Sequence, residues 1–137
     1  MSQYMLLVYQ QEVDPAEQAE REAELPMLLE FHRSLREAGL LVGVGRLRSS
    51  ESATSVRVRE RETEITDGPF AVTKEVLVGY YLLECPDLDE ALKQAARFPD
   101  AHHGTVEVRP VMPPDEWVNR ARDAGADLPD EAVKDLA

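Results

Sequence analysis

Leu77-Val78-Gly79-Tyr80-Tyr81-Leu82-Leu83 is a strongly apolar run, and its reading decides the fold. It is short, rich in β-branched and aromatic residues, and apolar at both odd and even positions, as in a strand covered on both faces. Directly after it, Asp87 followed three residues later by Glu90 forms a helix-opening pair. The helix that follows is expected to bury Leu88, Ala91, Leu92, Ala95 and Ala96 and to stop at Phe98-Pro99. Thr105 to Met112 then alternates as a strand, with Val106, Val108 and Met112 on one face and Glu107, Arg109 and Val111 on the other.

Upstream, the same order of elements recurs. Tyr4 to Tyr9 reads as a strand, again apolar on both faces. Asp14 can cap a helix that has Pro15 in its first turn and Glu17 at the capping-box position. Pro26 divides or kinks that helix. Beyond it the periodicity places Leu25, Leu28, Leu29, His32 and Leu35 on one face, and Gly39 supplies the stop. Leu40 to Val44 is the next strand, with Gly43 and Gly45 permitting a bulge. Ser55 to Arg59 and Glu62 to Thr66 form a hairpin with Val56, Val58 and Ile65 on one face; its Glu60-Arg61 tip lacks the Asn-Gly chemistry of a tight primed turn, which leaves the loop length open.

The order is therefore β, α, β, hairpin, β, α, β. Each helix has one apolar stripe, so both are expected on one face of a single sheet. The other face is apolar as well and is expected to be covered by a second copy of the chain. Residues 1–112 form one domain in this reading, and 113–137 an acidic C-terminal extension, partly helical around Trp117 to Ala124 or flexible, that serves as a lid or a dimer arm.

Fifteen basic against 27 acidic residues leave a formal charge of −12. Such a chain repels phosphate backbones and anionic lipid, so neither direct nucleic-acid binding nor membrane binding is expected. Cys85 is the only cysteine, which rules out an intramolecular disulfide and suits a reducing compartment. The N-terminus lacks the basic and long apolar regions of an export signal, and no run has the length of a membrane span. Cytoplasmic location is the expectation. Histidine spacing does not suggest a metal site, no phosphate-cradling loop or nucleophile elbow is present, and no cofactor is expected.

Three stretches carry a resemblance: Asp67-Gly68-Pro69-Phe70-Ala71-Val72-Thr73-Lys74-Glu75, then Gly79-Tyr80-Tyr81, and finally His103-Gly104-Thr105-Val106-Glu107-Val108-Arg109-Pro110-Val111. With the Asp-Leu-Asp-Glu-Ala helix start between them, they resemble the DGPF group of the YCII-related family from about Tyr4 to Met112. The resemblance implies an α+β, ferredoxin-like βαββαβ fold with a β-hairpin insertion, of the dimeric α/β-barrel type. It also implies two functional readings. In one, the homodimer binds or transforms a small molecule in an inter-subunit cleft with a His/Asp acid-base pair. In the other, the chain is a non-catalytic regulatory or interaction module associated with an extracytoplasmic-function sigma factor. The chain differs from the family pattern at the Glu60-Arg61 tip, at the extra His102 and in the length after Pro113.

Candidate catalytic residues are His32, Asp67 and His103, because imidazole exchanges protons near neutral pH and a carboxylate can orient it. Each also has a structural reading: Asp67 as turn chemistry before Gly68-Pro69, His32 as a core histidine, His103 as a turn residue. Arg109, Glu107, Tyr9, Lys74 and Tyr81 are the candidate substrate-binding residues, Arg109 offering a planar fork to an anion. The alternatives are a structural Glu107–Arg109 ion pair and ordinary loop charges at Lys74-Glu75.

Overall fold

In the computed structural model, which describes residues 1–134, the apolar run lies within the eleven-residue strand β5 (Glu75–Cys85). It pairs on one side with β1 (Ser2–Gln11) and on the other with β2 (Leu41–Arg46), while β1 also pairs with β6 (Gly104–Pro110). The sheet is antiparallel throughout, in the order β2-β5-β1-β6. Helices α1 (Pro15–Glu22) and α2 (Leu25–Glu37) join β1 to β2, and α3 (Leu88–Ala96) joins β5 to β6. A separate two-stranded sheet, β3 (Thr54–Arg59) with β4 (Glu62–Asp67), is inserted between β2 and β5. The architecture is α+β and compatible with a ferredoxin-like fold.

Strand register sorts the side chains by face. Leu6 lies opposite Tyr81 and Val108, and Tyr4 opposite Leu83. This row, with Val8 and Cys85, is buried against Leu28, Phe31 and Leu35 of α2, Ala91 and Ala95 of α3, and Phe98. The Phe98 ring stands edge-on to both Phe31 (4.5 Å) and Tyr81 (4.7 Å), contacts that add roughly 1 kcal/mol each beyond the area they bury. The opposite face places Met5, Leu7 and Tyr9 beside Leu82, Tyr80 and Leu77, with Arg109, Glu107 and Thr105 along its β6 side. Leu77 and Tyr80 remain 36% and 37% exposed. A bulge between Val8 and Tyr9 leaves Val78 without a partner on β1, its carbonyl accepting instead from the Leu47 amide at 2.9 Å, and keeps Tyr9 and Leu77 on this face.

Both expected caps form, Asp14 accepting the Glu17 amide and Asp87 the Glu90 amide, each at 2.9 Å. Pro26 sits in the first turn of α2, so the chain is divided into two helices there. The buried stripe of α2 is not the expected one. Leu28, Phe31 and Leu35 point inward, Leu25 and Leu29 are exposed and His32 lies at the edge, because the Phe31 ring fills the space beside Phe98. In α3 the small residues Ala91 and Ala95 face the core, whereas Leu88 and Leu92 stay exposed. Gln94 is buried in their place, its amide donating to Glu90 (2.9 Å) and accepting from Arg97 (2.7 Å). The hairpin tip is also tighter than its composition suggests: Glu60 (φ 51°) and Arg61 (φ 67°) alone connect β3 to β4, both in the left-handed region.

After β6, α4 (Pro114–Asp123) covers the stretch around Trp117, and Val118 is buried. Arg122 ties the following turn by donating to the Leu128 carbonyl (2.7 Å) and to Asp130 (3.0 Å) at the start of α5 (Asp130–Val133). The end of the 113–137 extension, residues 135–137, lies outside the described residues.

Candidate functional site

The inward row of β1 reads Tyr4, Leu6, Val8 and then Gln10, a polar residue where the period of two demands burial. A buried amide must find partners. Gln10 Nε2 donates to Asp100 Oδ1, and Gln10 Oε1 accepts from Arg21 Nη1 at 3.5 Å. Asp100 is only 5% exposed, and its Oδ2 accepts from Arg46 Nη1 at 3.2 Å. Arg21 Nη1 also donates to the Gln11 carbonyl at 2.8 Å. A continuous polar bridge, Arg21–Gln10–Asp100–Arg46, therefore closes one end of the core.

Each member is placed by a local feature of the chain. Phe98-Pro99 ends α3 and starts a single 3-10 turn, Pro99–His102, which carries Asp100. Gly104 then lets β6 approach β1 so closely that an added Cβ would collide with the Tyr9 carbonyl oxygen. Arg46 ends β2 opposite Gly79. A Cβ on Gly79 would stand 3.3 Å from Arg46 Cδ, so the glycine of the Gly79-Tyr80-Tyr81 run leaves room for the arginine. Burial pushes the Tyr81 hydroxyl above its usual pKa; Arg46 opposes that shift and Asp100 adds to it.

Above the bridge lies a cavity of about 150 Å³ lined by Gln10, Gln18, Arg21, Glu24, Arg46 and Asp100 among others. A neighbouring cavity of about 340 Å³ shares Gln10, Gln18, Arg21 and Arg46 and adds Arg48. Glu24 Oε2 is held by His103 Nε2 at 2.7 Å. The other ring nitrogen, Nδ1, is buried without a partner among the described residues.

A model of the YCII-related domain matches residues 2–117. The chain belongs to the YCII-related family. An uncharacterized protein of Rhizobium meliloti (strain 1021) is 40% identical to it over 112 residues, 79% of this chain and 90% of that protein. The matched span of this YCII-related chain contains every residue of the bridge and of the Glu24–His103 pair.

The candidates singled out by sequence are dispersed in this YCII-related fold. His103 has a carboxylate partner, but it is Glu24. His32 sits on α2 with Arg36 Nη2 3.5 Å from its Nε2 and its ring 6.0 Å from that of Tyr81. Asp67 ends β4 on the separate hairpin opposite Thr54, exposed, and makes no side-chain hydrogen bond or ion pair among the described residues. Gly68 beside it takes a φ of 97°, and its amide bonds the Ala53 carbonyl at 2.7 Å, so the Asp-Gly step forms a turn. Glu107 and Arg109 share the outer sheet face, 4.0 Å apart and open to solvent. Tyr9 is on that face too, while Tyr81 points the other way into the core and Lys74 lies in an exposed loop.

Gln10, Arg21, Glu24, Arg46 and Asp100 were not singled out by sequence. Only Gln10 left a local trace, as the polar end of an inward row. Among the described residues no three His, Cys, Asp or Glu side chains are grouped as a metal site requires, and no helix is long and apolar enough to cross a membrane.

Proposed function

We propose that this YCII-related chain binds a small molecule in the cavity above Asp100 and exchanges a proton with it. The observation that carries this reading is the buried Asp100 carboxylate, fixed by Gln10 and Arg46 at the floor of a cavity that Glu24 also faces. Both Asp100 oxygens are engaged, so its part is to orient the two donors. Glu24 is the group free to take or give a proton, through the oxygen that His103 does not hold, and the imidazole stabilises whichever charge results. The resemblance implied a His/Asp pair; the pair proposed here is a different one, His103 with Glu24.

The test is a thermal-shift screen of diverse metabolite-sized compounds, followed by ¹H NMR of any ligand in D₂O. Binding to the native state raises the melting temperature. Glu24→Gln should retain binding and lose protein-dependent exchange of ligand hydrogens. Hits that bind Asp100→Ala and the unmodified chain equally well would place the ligand elsewhere.

A second reading concerns the outer sheet face. The half-exposed row Met5, Leu7, Leu77, Tyr80 and Leu82, and the exposed Val56, Val58 and Ile65 of the hairpin, support a homodimer of the dimeric α/β-barrel type. A cavity of about 610 Å³ beside Tyr9, Leu77 and Phe70 would then become the inter-subunit cleft. Light scattering should give twice the chain mass, and Leu82→Glu should reduce it to one. A monomeric parent chain at micromolar concentration rules this out.

A further inference from the structure

The two cavities share a wall of Gln10, Gln18, Arg21 and Arg46, so two of its four side chains are cations. Their role rests on the cavity above Asp100 being the binding site. Outside the two cavities, Arg33, Arg109, Arg120 and Arg122 each pair with a carboxylate, while Arg36 and Arg97 do not among the described residues. Arg21 also makes no ion pair among the described residues; what sets it apart is its place in the lining of both cavities, where it reaches Gln10 and the Gln11 carbonyl through Nη1 alone. Arg46 likewise contacts Asp100 through Nη1 alone. Among the described residues each guanidinium therefore keeps its Nε–Nη2 edge free of protein acceptors, and such an edge presents two parallel donors spaced for two oxygens of one anion.

We propose that the ligand is a small organic anion whose carboxylate or phosphate group docks between Arg21 and Arg46. The Arg21–Gln10–Asp100–Arg46 bridge is the reason these two residues can serve. It holds Arg21 through the Gln10 amide and Arg46 through the Asp100 carboxylate before any ligand arrives, so less side-chain freedom remains to be lost on binding. Two of the acids at the cavities are turned away from the arginine edges, Asp100 to Gln10 and Arg46 and Glu24, through Oε2, to His103; Glu22, Glu12 and Glu51 line the cavities as well, Glu12 accepting from Ser50. A cavity of about 150 Å³ that opens beside one of about 340 Å³ suits a body about the size of benzene attached to the charged group. The general field of a −12 chain repels anions, so an anion that binds here does so through these local donors.

The experiment is calorimetric titration of the full chain with malonate, succinate, benzoate, benzyl phosphate and inorganic phosphate, each organic acid alongside its neutral amide and benzyl phosphate alongside benzyl alcohol. At least one anion should bind while its neutral counterpart does not. Preference for benzoate or for benzyl phosphate then identifies the headgroup. Arg21→Lys and Arg46→Lys keep the charge, and hence the pairing with Asp100, but lose the fork; each should weaken the anion at least about tenfold, with Arg33→Lys unchanged as the surface control. Equal binding of anions and their neutral counterparts, or full affinity in both lysine variants, overturns the proposal. Neutral compounds that bind in an Asp100-dependent way, with no anion binding, would sink the anion assignment and leave the cavity reading standing. A failure of every compound here, together with an empty thermal-shift screen, would remove both.

Discussion

Asp100 and Arg46 are 54 residues apart in the chain, and Arg46 Nη1 meets Asp100 Oδ2 at 3.2 Å. The pair is lopsided. The Asp100 side chain is 7% exposed and that of Arg46 39%, so one charge is nearly cut off from water and the other is not. Pairs of this kind cost most when the buried partner is left alone.

That asymmetry orders two substitutions. Arg46→Met leaves a buried carboxylate with only the Gln10 amide and should destabilise the fold by about 2 kcal/mol, below the full range for a buried pair because Arg46 is part-exposed. Asp100→Asn keeps an acceptor for Gln10 and lets Arg46 turn to water; it should cost about 1 kcal/mol or less. Urea unfolding of both variants checks this. A larger loss for Asp100→Asn would mean that the carboxylate, and not its partner, carries the local stability.

Gly104 sets how closely β6 approaches β1, and the atom that an added Cβ would strike is a backbone oxygen with no flexible end to give way. Gly104→Ala should cost about 2 to 3 kcal/mol, a fall in melting temperature of roughly 6 to 10 °C for a domain of this size. Gly43→Ala is the control, because its Cβ would meet only the Leu82 Cβ, at 4.0 Å. It should move the melting temperature far less. Equal shifts for the two would contradict the packing described.

Burial, which disfavours the phenolate, pushes the Tyr81 hydroxyl above the ordinary tyrosine value of about 10. In the unfolded chain the same group loses its proton at the ordinary value, so above about pH 10 the unfolded state binds fewer protons than the native one. The stabilisation is complete below the unfolded pKa and is lost as pH rises through the folded one. Between pH 9 and pH 11 the parent chain should therefore lose more stability than Tyr81→Phe does. Parallel curves from urea midpoints across that window would mean that the hydroxyl is ionisable in place.

Much of the fold was legible because its signals are local. The alternation of Tyr4, Leu6 and Val8 fixed a face, and the caps at Asp14 and Asp87 accept the amides three residues on. Helix rotation was not legible in the same way. Periodicity allowed His32 and Leu29 on the inner stripe of α2, and the choice of Phe31 depended on Phe98, a residue 67 positions away whose ring it meets at 4.5 Å. The site was still less legible. Gln10, Arg21, Arg46 and Asp100 come from four separate elements, and no spacing rule joins them. Asp67 stood out in the sequence because Asp-Gly-Pro is a conspicuous turn, and conspicuous turn chemistry says nothing of where a carboxylate points.

The hairpin tip offers a test of how separately that sheet behaves. Glu60 and Arg61 both have positive φ, a conformation that costs each of these residues about 1 kcal/mol and that Asn-Gly adopts readily. Every residue of β4 is exposed, and β3 and β4 pair only with each other, so the hairpin should open without the rest of the domain. Glu60→Asn with Arg61→Gly should then slow amide exchange of the cross-strand bonded residues about tenfold while leaving the global urea midpoint unchanged. A shift of that midpoint would show that the hairpin unfolds with the four-stranded sheet. Unchanged exchange would show that the tip conformation carries no strain for Asn-Gly to relieve.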